Sequence, residues 1–501
     1  MYDVLIIGAG IVGTAIARRL SRYQLSVCLV EKSNDVAMGS TKANSAIVHG
    51  GYAEANAKLK GRLCYKGRVQ YEQLNKELNF GFRKTGSLVI TTDENDLPKL
   101  QDMMENGKKN GLTDLKILNH DEILALEPNI NPDVLYALYC EGAGVCSPYE
   151  MAIAMAENAI HNGVELFLFS EVVGIDKEED HFVVHMTNRD FKARYVINAA
   201  GLYSDKIDQM VNEKTFDIHP RSGEYILFAP GTGKALNTVV FQMPSKMGKG
   251  ILVTSTYHGN LLLGPDAIDE DGAVDRSTHV ERLYKIYKEG LLTTDKMDIE
   301  TFIRSFTGIR AVASTDDFIV GATATPGFLN AAGIQSPGLT SSPAIADMIT
   351  EELAAQGLVL EEDPSYDPYR APIIERKEEM RPYSEIAPLL DIPSCPEKII
   401  CRCEQVEEKT IVDCLHRGIP VLSVDGVKRR TRASMGYCQG DFCRPRIKAI
   451  MEREYGVPID SRTDIQKEGA KRVTREEFLA YCREQENRER LIIFNEFHIA
   501  D

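Results

Sequence analysis

The N-terminal glycine turn constrains the fold of this chain more than any other feature. Val4-Leu5-Ile6-Ile7 is a continuous apolar run, followed at once by Gly8-Ala9-Gly10-Ile11-Val12-Gly13 and then by apolar spacing through Ala15, Ile16, Ala17 and Leu20. That order reads as strand, tight turn, helix. Gly8 permits the turn, Gly10 lets backbone approach a pyrophosphate, and Gly13 lets the helix pack close to the strand, while the helix N-terminus offers N–H groups to the anion. A second apolar run, Val27-Cys28-Leu29-Val30, ends in Glu31, whose carboxylate can accept both ribose hydroxyls. Together these features predict a dinucleotide-binding α/β half rather than a glycine-rich packing site.

The turn alone does not separate NAD from FAD. The segment that follows does. Ser40 to Gly51, reading Ser-Thr-Lys-Ala-Asn-Ser-Ala-Ile-Val-His-Gly-Gly, is too regular for a surface linker, and its hydroxyls and amides suit the ribityl and isoalloxazine parts of a flavin. A later run from Tyr195 to Asp205 again reads as strand, glycine turn and helix start, a second close approach to a nucleotide.

At the far end stand four cysteines in two tight pairs, Cys401-Arg402-Cys403 and Cys438-Gln439-Gly440-Asp441-Phe442-Cys443. Four thiolates so grouped can enclose one metal centre. The single spacer of the first pair is tighter than zinc ribbons use, whereas iron–sulfur clusters accept several spacings, which favours [2Fe–2S] over zinc. Four reduced core cysteines are the weakest reading, because Gly436 and Gly440 flank Cys438 and suit a loop around a centre.

The chain of 501 residues exceeds what one core serves, and 43% hydrophobic residues is ordinary for a globular protein, so two to four domains are expected. A net charge of -16 argues against a nucleic-acid surface. Lys428-Arg429-Arg430-Thr431-Arg432 is the exception; it reads as a solvated basic loop, with steering of an acidic redox partner or balance of a cluster's charge as the alternatives. No stretch has the ~18 apolar residues of a membrane span. Met1-Tyr2-Asp3 runs straight into the first strand without the parts of a signal peptide, so secretion is not expected. Eleven cysteines, an odd number, suit a reducing cytoplasm; Cys28, Cys64, Cys140, Cys146, Cys395, Cys414 and Cys482 read as structural.

Residues 1–355 resemble the D-amino-acid-oxidase-like superfamily of FAD-dependent oxidoreductases, on the glycine turn, Glu31 and the Asn198-Ala199-Ala200-Gly201-Leu202-Tyr203-Ser204 turn. Within it, Asn44 to His49, Gly223-Glu224-Tyr225, Gly264-Pro265, Gly308-Ile309-Arg310 and Gly333 to Gly338 are similar to the glycerol-3-phosphate and L-2-hydroxyglutarate dehydrogenase branches. The resemblance implies that FAD is held by Gly8, Gly10, Gly13, Glu31, Lys32, Ser40, Thr41, Asn44, Ser45, Val173, Ala200, Gly201, Gly333, Gln335, Ser336, Gly338 and Leu339. Gly436 to Cys443 resembles the bacterioferritin-associated-ferredoxin-like [2Fe–2S] module, which implies Cys401, Cys403, Cys438 and Cys443 as ligands. One departure bears on substrate: many glycerol-3-phosphate dehydrogenases carry G-G-K-x-T where this chain has Gly333-Ile334-Gln335-Ser336-Pro337, without the phosphate-binding lysine.

The expected fold class is α/β with α+β parts. A discontinuous Rossmann-like FAD-binding domain would take 1–85, 145–215 and 315–355, and a substrate domain around an antiparallel sheet 86–144 and 216–314. Alternating runs such as Ser87 to Thr91 and Gly250 to Thr254 supply its strands. Prolines among charges make 356–397 an extended linker, followed by a small helical [2Fe–2S] module at 398–455 and a helical extension at 456–501. Thr474-Arg475-Glu476-Glu477 reads as a capping box for the last helix.

To oxidise a secondary alcohol a flavin enzyme needs a base that titrates near working pH. His49, bracketed by the flavin-side segment and Gly50-Gly51, is the candidate, the alternative being that it only hydrogen-bonds flavin or backbone. His258 is the reserve, with a solvated turn residue as its plainer reading. Arg310 can grip an anion bidentately and Tyr225 can orient it; Lys246 and Lys249 read as solvent-exposed or as extra charge for a phosphate. The expectation is a dehydrogenase of a small anionic secondary alcohol, glycerol-3-phosphate ahead of L-2-hydroxyglutarate. Its acceptor would be a protein or quinone-linked subunit, with peripheral membrane contact only through that partner. An amine or amino-acid dehydrogenase and a non-catalytic electron-transfer subunit are the competing readings.

Overall fold

The computed structural model describes residues 1–243, 250–270, 274–374, 380–390, 392 and 395–498. Lys246 and Lys249 lie outside the described residues. The first strand, β1 (Tyr2–Ile7), pairs in parallel with β2 (Val27–Val30) on one side and with Asp190–Asn198 on the other. Between β1 and β2 runs α1 (Ile11–Leu20). Among the described residues this sheet has eight strands, including Glu165–Phe167 beyond β2 and Phe328–Ala332 beside Asp190–Asn198. It is covered on both faces, which explains the continuous apolar run of β1. Val4 and Ile6 enter a core with α1, Pro148–His161 and the later helix, whereas Leu5 and Ile7 pack with Phe182 and Phe328 on the opposite face.

The second sheet draws strands from both expected inserts. Ser87–Thr91 pairs antiparallel with Tyr136–Cys140 but parallel with Val239–Gln242, so the sheet is antiparallel apart from that junction. Its longest ladder is β3 (Ile218–Pro230) antiparallel to β4 (Phe302–Ala313), in a register that sets Arg221 opposite Arg310 and Tyr225 opposite Phe306. The Ser40 hydroxyl donates to the Ile309 carbonyl, which ties this sheet to the loop after β2. After β4 the chain returns to the first sheet and enters α2 (Gly338–Ala355), which packs on α1.

The proline-rich stretch after α2 is not the extended tether its prolines suggest: among the described residues Tyr383–Ile386 and Ala387–Leu389 form short helical turns, with Pro382 just before the first, and the part before them is tied down. Glu362 forms a bridge with Tyr23, Arg370 Nε donates to Glu157 at 2.6 Å, and Asn158 Nδ2 donates to the Asp367 carbonyl at 3.0 Å. It is strapped to the first domain and delivers a module built around α3 (Val424–Thr431) and α4 (Arg444–Tyr455) with its own small core.

The basic run overturns its plainer reading as a solvated loop. It forms the second half of α3 and the residue after it, and Arg429, Arg430 and Arg432 are buried against Asp35, Asp464 and Glu404. Burial beside Arg304 pulls the Lys428 ammonium down to about 7. No local pattern could reveal this, because Asp35 lies almost the whole chain away. The extension ends in α5 (Arg475–His498). Its start carries the expected reciprocal cap, Thr474 N–H to Glu477 Oε2 at 2.8 Å and Glu477 N–H to Thr474 Oγ1 at 3.2 Å. Phe478 then inserts into the substrate-side core, 4.9 Å between ring centroids from Phe302.

Candidate active site

At the end of β1, Gly8 takes φ +101°, open to glycine. A Cβ on Gly13 would lie 1.9 Å from the Gly8 carbonyl oxygen, so only glycine lets α1 close on the turn. The Glu31 carboxylate is fixed beside it, accepting from Ala9 N–H at Oε2 and from Ser33 N–H at Oε1, both at 2.9 Å. Thr41 Oγ1 accepts from Ile11 N–H at 3.0 Å, which holds the far end of the loop against the same turn.

A cavity of about 1610 Å³ runs from this turn to the underside of the second sheet. Of the residues expected to hold FAD, Gly8, Gly10, Glu31, Lys32, Ser40, Thr41, Asn44, Ser45, Ala200, Gly201, Gln335, Ser336, Gly338 and Leu339 line it. Three do not. Gly13 packs helix to turn, and Gly333 sits against Ala313. Val173 turns its side chain outward, 56% exposed, while its neighbour Val172 lines the cavity, which leaves Val173 only its backbone to offer a cofactor. An ordered carboxylate at the ribose position, bare glycine backbone at the turn and the N-terminal end of α2 make an anion- and nucleotide-shaped cradle, so these residues fit FAD.

His49, Tyr225 and Arg310 all face this cavity. The His49 N–H donates to Thr340 Oγ1 at 2.9 Å, its Nε2 lies 3.4 Å from Ser336 Oγ, and its ring stacks on Phe241 at 5.8 Å and 27°. Tyr225 is buried, stacked on Phe306 at 4.7 Å and 10°. Burial raises its phenol, and the neighbouring Arg310 guanidinium and Ser45 hydroxyl oppose that rise. Arg221, Arg276 and Arg282 on the cavity wall are each paired with a carboxylate, at 2.5 to 2.7 Å. Among the described residues Arg310 makes no ion pair, so its charge remains for whatever the cavity takes up.

His258 does not belong to this constellation, nor is it a solvated turn residue. Its side chain is 10% exposed, Nε2 lies 2.9 Å from Glu150 Oε1, and burial followed by the Arg432 charge lowers its affinity for a proton. It sits at the junction with the cysteine module. Thr340 and Phe241, which fix His49, escape sequence reading: one is a helix residue and the other a strand residue, with nothing local to link either to a histidine far away in the chain.

The four cysteines converge. Cys403 and Cys438 have their sulfurs 3.6 Å apart, and Cys401 donates to Cys443, which pushes Cys401 up and pulls Cys443 down. Burial pushes the Cys403 thiol up to about 11. Backbone N–H groups of Glu404 and Ser434 point at Cys401, that of Cys438 at Cys403, and the Ser434 hydroxyl lies 3.1 Å from Cys443 Sγ. A Cβ on Gly436 would meet Cys403 Cβ at 2.2 Å, so glycine lets the two loops close. The sulfurs meet as two pairs, and among the described residues no three acidic, His or Cys side chains already converge on a single ion position. An all-thiol donor set ringed by N–H groups fits an iron–sulfur cluster, whose sulfurs take such hydrogen bonds.

Fold and site define a flavin-dependent oxidoreductase with an iron–sulfur module. The model of the family described as FAD dependent oxidoreductase matches residues 3–352, and that of the BFD-like [2Fe-2S] binding domain matches residues 399–453. The chain belongs to the FAD dependent oxidoreductase family, and its cofactors are FAD and a [2Fe–2S] cluster. Among relatives, a glycerol 3-phosphate dehydrogenase of Caloramator mitchellensis is 43% identical over 93% of this chain and 97% of its own length. An L-2-hydroxyglutarate dehydrogenase of Pongo abelii is 26% identical over 70% of this chain and 87% of its own. Among solved structures, the dithionite-reduced, FAD-bound L-alpha-glycerophosphate oxidase from Mycoplasma pneumoniae superposes with a TM-score of 0.69. It is 30% identical and covers 74% of this chain and 98% of its own.

Proposed function

We propose that this protein oxidises glycerol 3-phosphate to dihydroxyacetone phosphate and hands the electrons through the [2Fe–2S] module to an external acceptor. The observation that carries the reading is the extent of the dehydrogenase match. Alignment over 93% of the chain leaves fewer residues outside it than the cysteine module contains, so the likeness is not confined to the flavin half. When bound, FAD supplies a two-electron acceptor and the cluster a one-electron relay.

The chain's own residues do the rest. Arg310 grips the anionic group of the substrate through two parallel N–H bonds, and the Tyr225 hydroxyl beside it fixes the angle of approach. His49 takes the hydroxyl proton at Nε2, its ring held by Phe241 and its backbone by Thr340. Substrate buried under the β3–β4 sheet is shielded from water.

Two features support a 2-hydroxy acid such as L-2-hydroxyglutarate as the second reading: the L-2-hydroxyglutarate dehydrogenase relative, and the absence of lysine between Gly333 and Pro337. Arg310 serves a carboxylate as well as a phosphate. An amine substrate would make less use of His49, and a subunit with no small substrate would have no use for an arginine that faces the cavity and makes no ion pair among the described residues.

No helix among the described residues is long and apolar enough to cross a membrane. We place the protein in the cytoplasm, where free cysteines persist, with an acceptor protein or quinone-linked subunit as its partner. The test is an anaerobic titration of the flavin spectrum with glycerol 3-phosphate and, separately, L-2-hydroxyglutarate. Bleaching by the first at much lower concentration supports the proposal; the reverse order selects the second reading.

A further inference from the structure

The loop that carries Glu31 is gripped from two sides. Glu31 and Thr41, near its ends, hold the N–H groups of the glycine turn. Asp35, between them, is absent from the cavity wall and reaches into the cysteine module. Its Oδ1 accepts from Val36 N–H and from Arg430 Nη2, both at 2.8 Å. Oδ2 accepts from Arg429 Nη2 at 2.8 Å and from Arg430 Nη1 at 2.9 Å. Asp35 and Arg430 are each 2% exposed. Arg429 Nη1 continues to Asp464 Oδ2 at 2.6 Å, and Lys42 Nζ stands 4.0 Å from the same oxygen. The two guanidiniums hold the Asp35 carboxyl far below the usual carboxylate range, against the opposing effect of burial.

The helix that supplies these arginines also serves the cysteines. At its C-terminus Arg432, in the left-handed region at φ 64°, donates from Nε and Nη2 to both oxygens of Glu404, at 2.8 and 3.2 Å. Glu404 is the residue after Cys403, and the chain beyond Arg432 becomes the loop of Cys438 and Cys443. One short helix therefore holds the flavin loop at its middle and both cysteine loops at its end. A buried carboxylate with two guanidiniums does not deform gradually: if α3 shifts, Asp35 follows and drags the Glu31 loop, or charges are left buried and unpaired, which is strongly unfavourable.

We propose that Asp35 is a positioning residue for the flavin nucleotide that acts through α3, so that filling the four-cysteine site tightens FAD retention and loss of the cluster loosens it. Linkage makes the effect reciprocal: bound FAD favours the filled cysteine site by the same factor. The inference stands independently of which substrate is oxidised.

The test begins with holoenzyme. It is diluted and FAD release is followed by the rise of free-flavin fluorescence, before and after the cluster is destroyed with ferricyanide and EDTA. Far-UV circular dichroism is recorded on both samples. Release about tenfold or more faster from the cluster-free protein, with unchanged circular dichroism, is expected, a factor within the ordinary range of coupling between sites. Asp35→Asn with its cluster absorbance intact is expected to release FAD at the fast rate, and destroying its cluster to change that rate less than about twofold. Equal release from cluster-loaded and cluster-free native protein would overturn the proposal. So would faster release accompanied by lost circular dichroism, which is unfolding rather than coupling. If Asp35→Asn yields no folded protein, the native comparison decides by itself.

Discussion

Replacing Arg310 isolates the part of the account that concerns substrate. The guanidinium lies on the cavity wall and makes no ion pair among the described residues, so Arg310→Met strands no partner carboxylate; it removes the hydrogen bond to the buried Tyr225 hydroxyl, and stability is expected to fall by only about 0.5–1.5 kcal/mol. What is lost is the grip on an anion. Hydrogen bonds involving charged groups contribute about 1.5–3 kcal/mol each, and water entering a half-open site recovers part of two of them, leaving a loss of about 3 kcal/mol. That corresponds to roughly a 150-fold fall in kcat/KM. Arg310→Lys keeps the charge but not the planar fork, and its expected loss is about 1.5 kcal/mol, roughly tenfold. The Tyr225 phenol rises further in Arg310→Met, because the guanidinium that opposed its upward shift is gone. The assay is anaerobic stopped-flow reduction of the flavin across substrate concentration, with thermal unfolding measured in parallel. Activity of Arg310→Met within about threefold of native, on a folded protein, would refute the reasoning and place the anion on another group.

His49→Asn keeps the backbone bond to Thr340 and removes the ring; kcat is expected to fall ~10²–10⁴-fold in steady-state assays with an artificial acceptor, and a fall below about threefold would point to amine chemistry. Gly13→Ala forces a Cβ to 1.9 Å from the Gly8 carbonyl oxygen, so the protein is expected to purify without flavin absorbance; a normal flavin content would contradict the packing argument. Phe478→Ala removes a fully buried ring between Phe302 and Tyr287, and chemical denaturation is expected to show ~3–5 kcal/mol of lost stability, with less than about 1 kcal/mol showing that the extension adds little.

What the sequence revealed follows the range of its physics. The glycine turn, Glu31 at the end of β2 and the capping box at Thr474 are local: their spacing states the geometry, and each element sits where its pattern implies. The candidates His49, Tyr225 and Arg310 were legible because each sits in a short motif whose backbone form is dictated nearby, and the fold brings all three to one cavity. Long-range pairings were invisible. A run of four cations in five residues has the composition of a solvated loop, and only the folded chain supplies Asp35, Asp464 and Glu404 to bury it. A strand of alternating side chains offers two faces, and neighbouring valines do not state which side chain meets the cavity; here it is that of Val172, not Val173. His258 reads as a turn residue beside Gly259-Asn260, and becomes a buried partner of Glu150 through contacts with a helix distant in sequence.

The most direct measurement of the central claim is electron paramagnetic resonance of the holoenzyme, frozen at intervals after anaerobic mixing with glycerol 3-phosphate. The account predicts that the signal of the reduced [2Fe–2S] cluster rises after flavin absorbance falls, and that Cys438→Ser still bleaches its flavin with substrate but shows no cluster signal. A flavin that bleaches while the intact cluster stays oxidised would contradict electron passage through the module, and a flavin unmoved by substrate would contradict the enzyme itself.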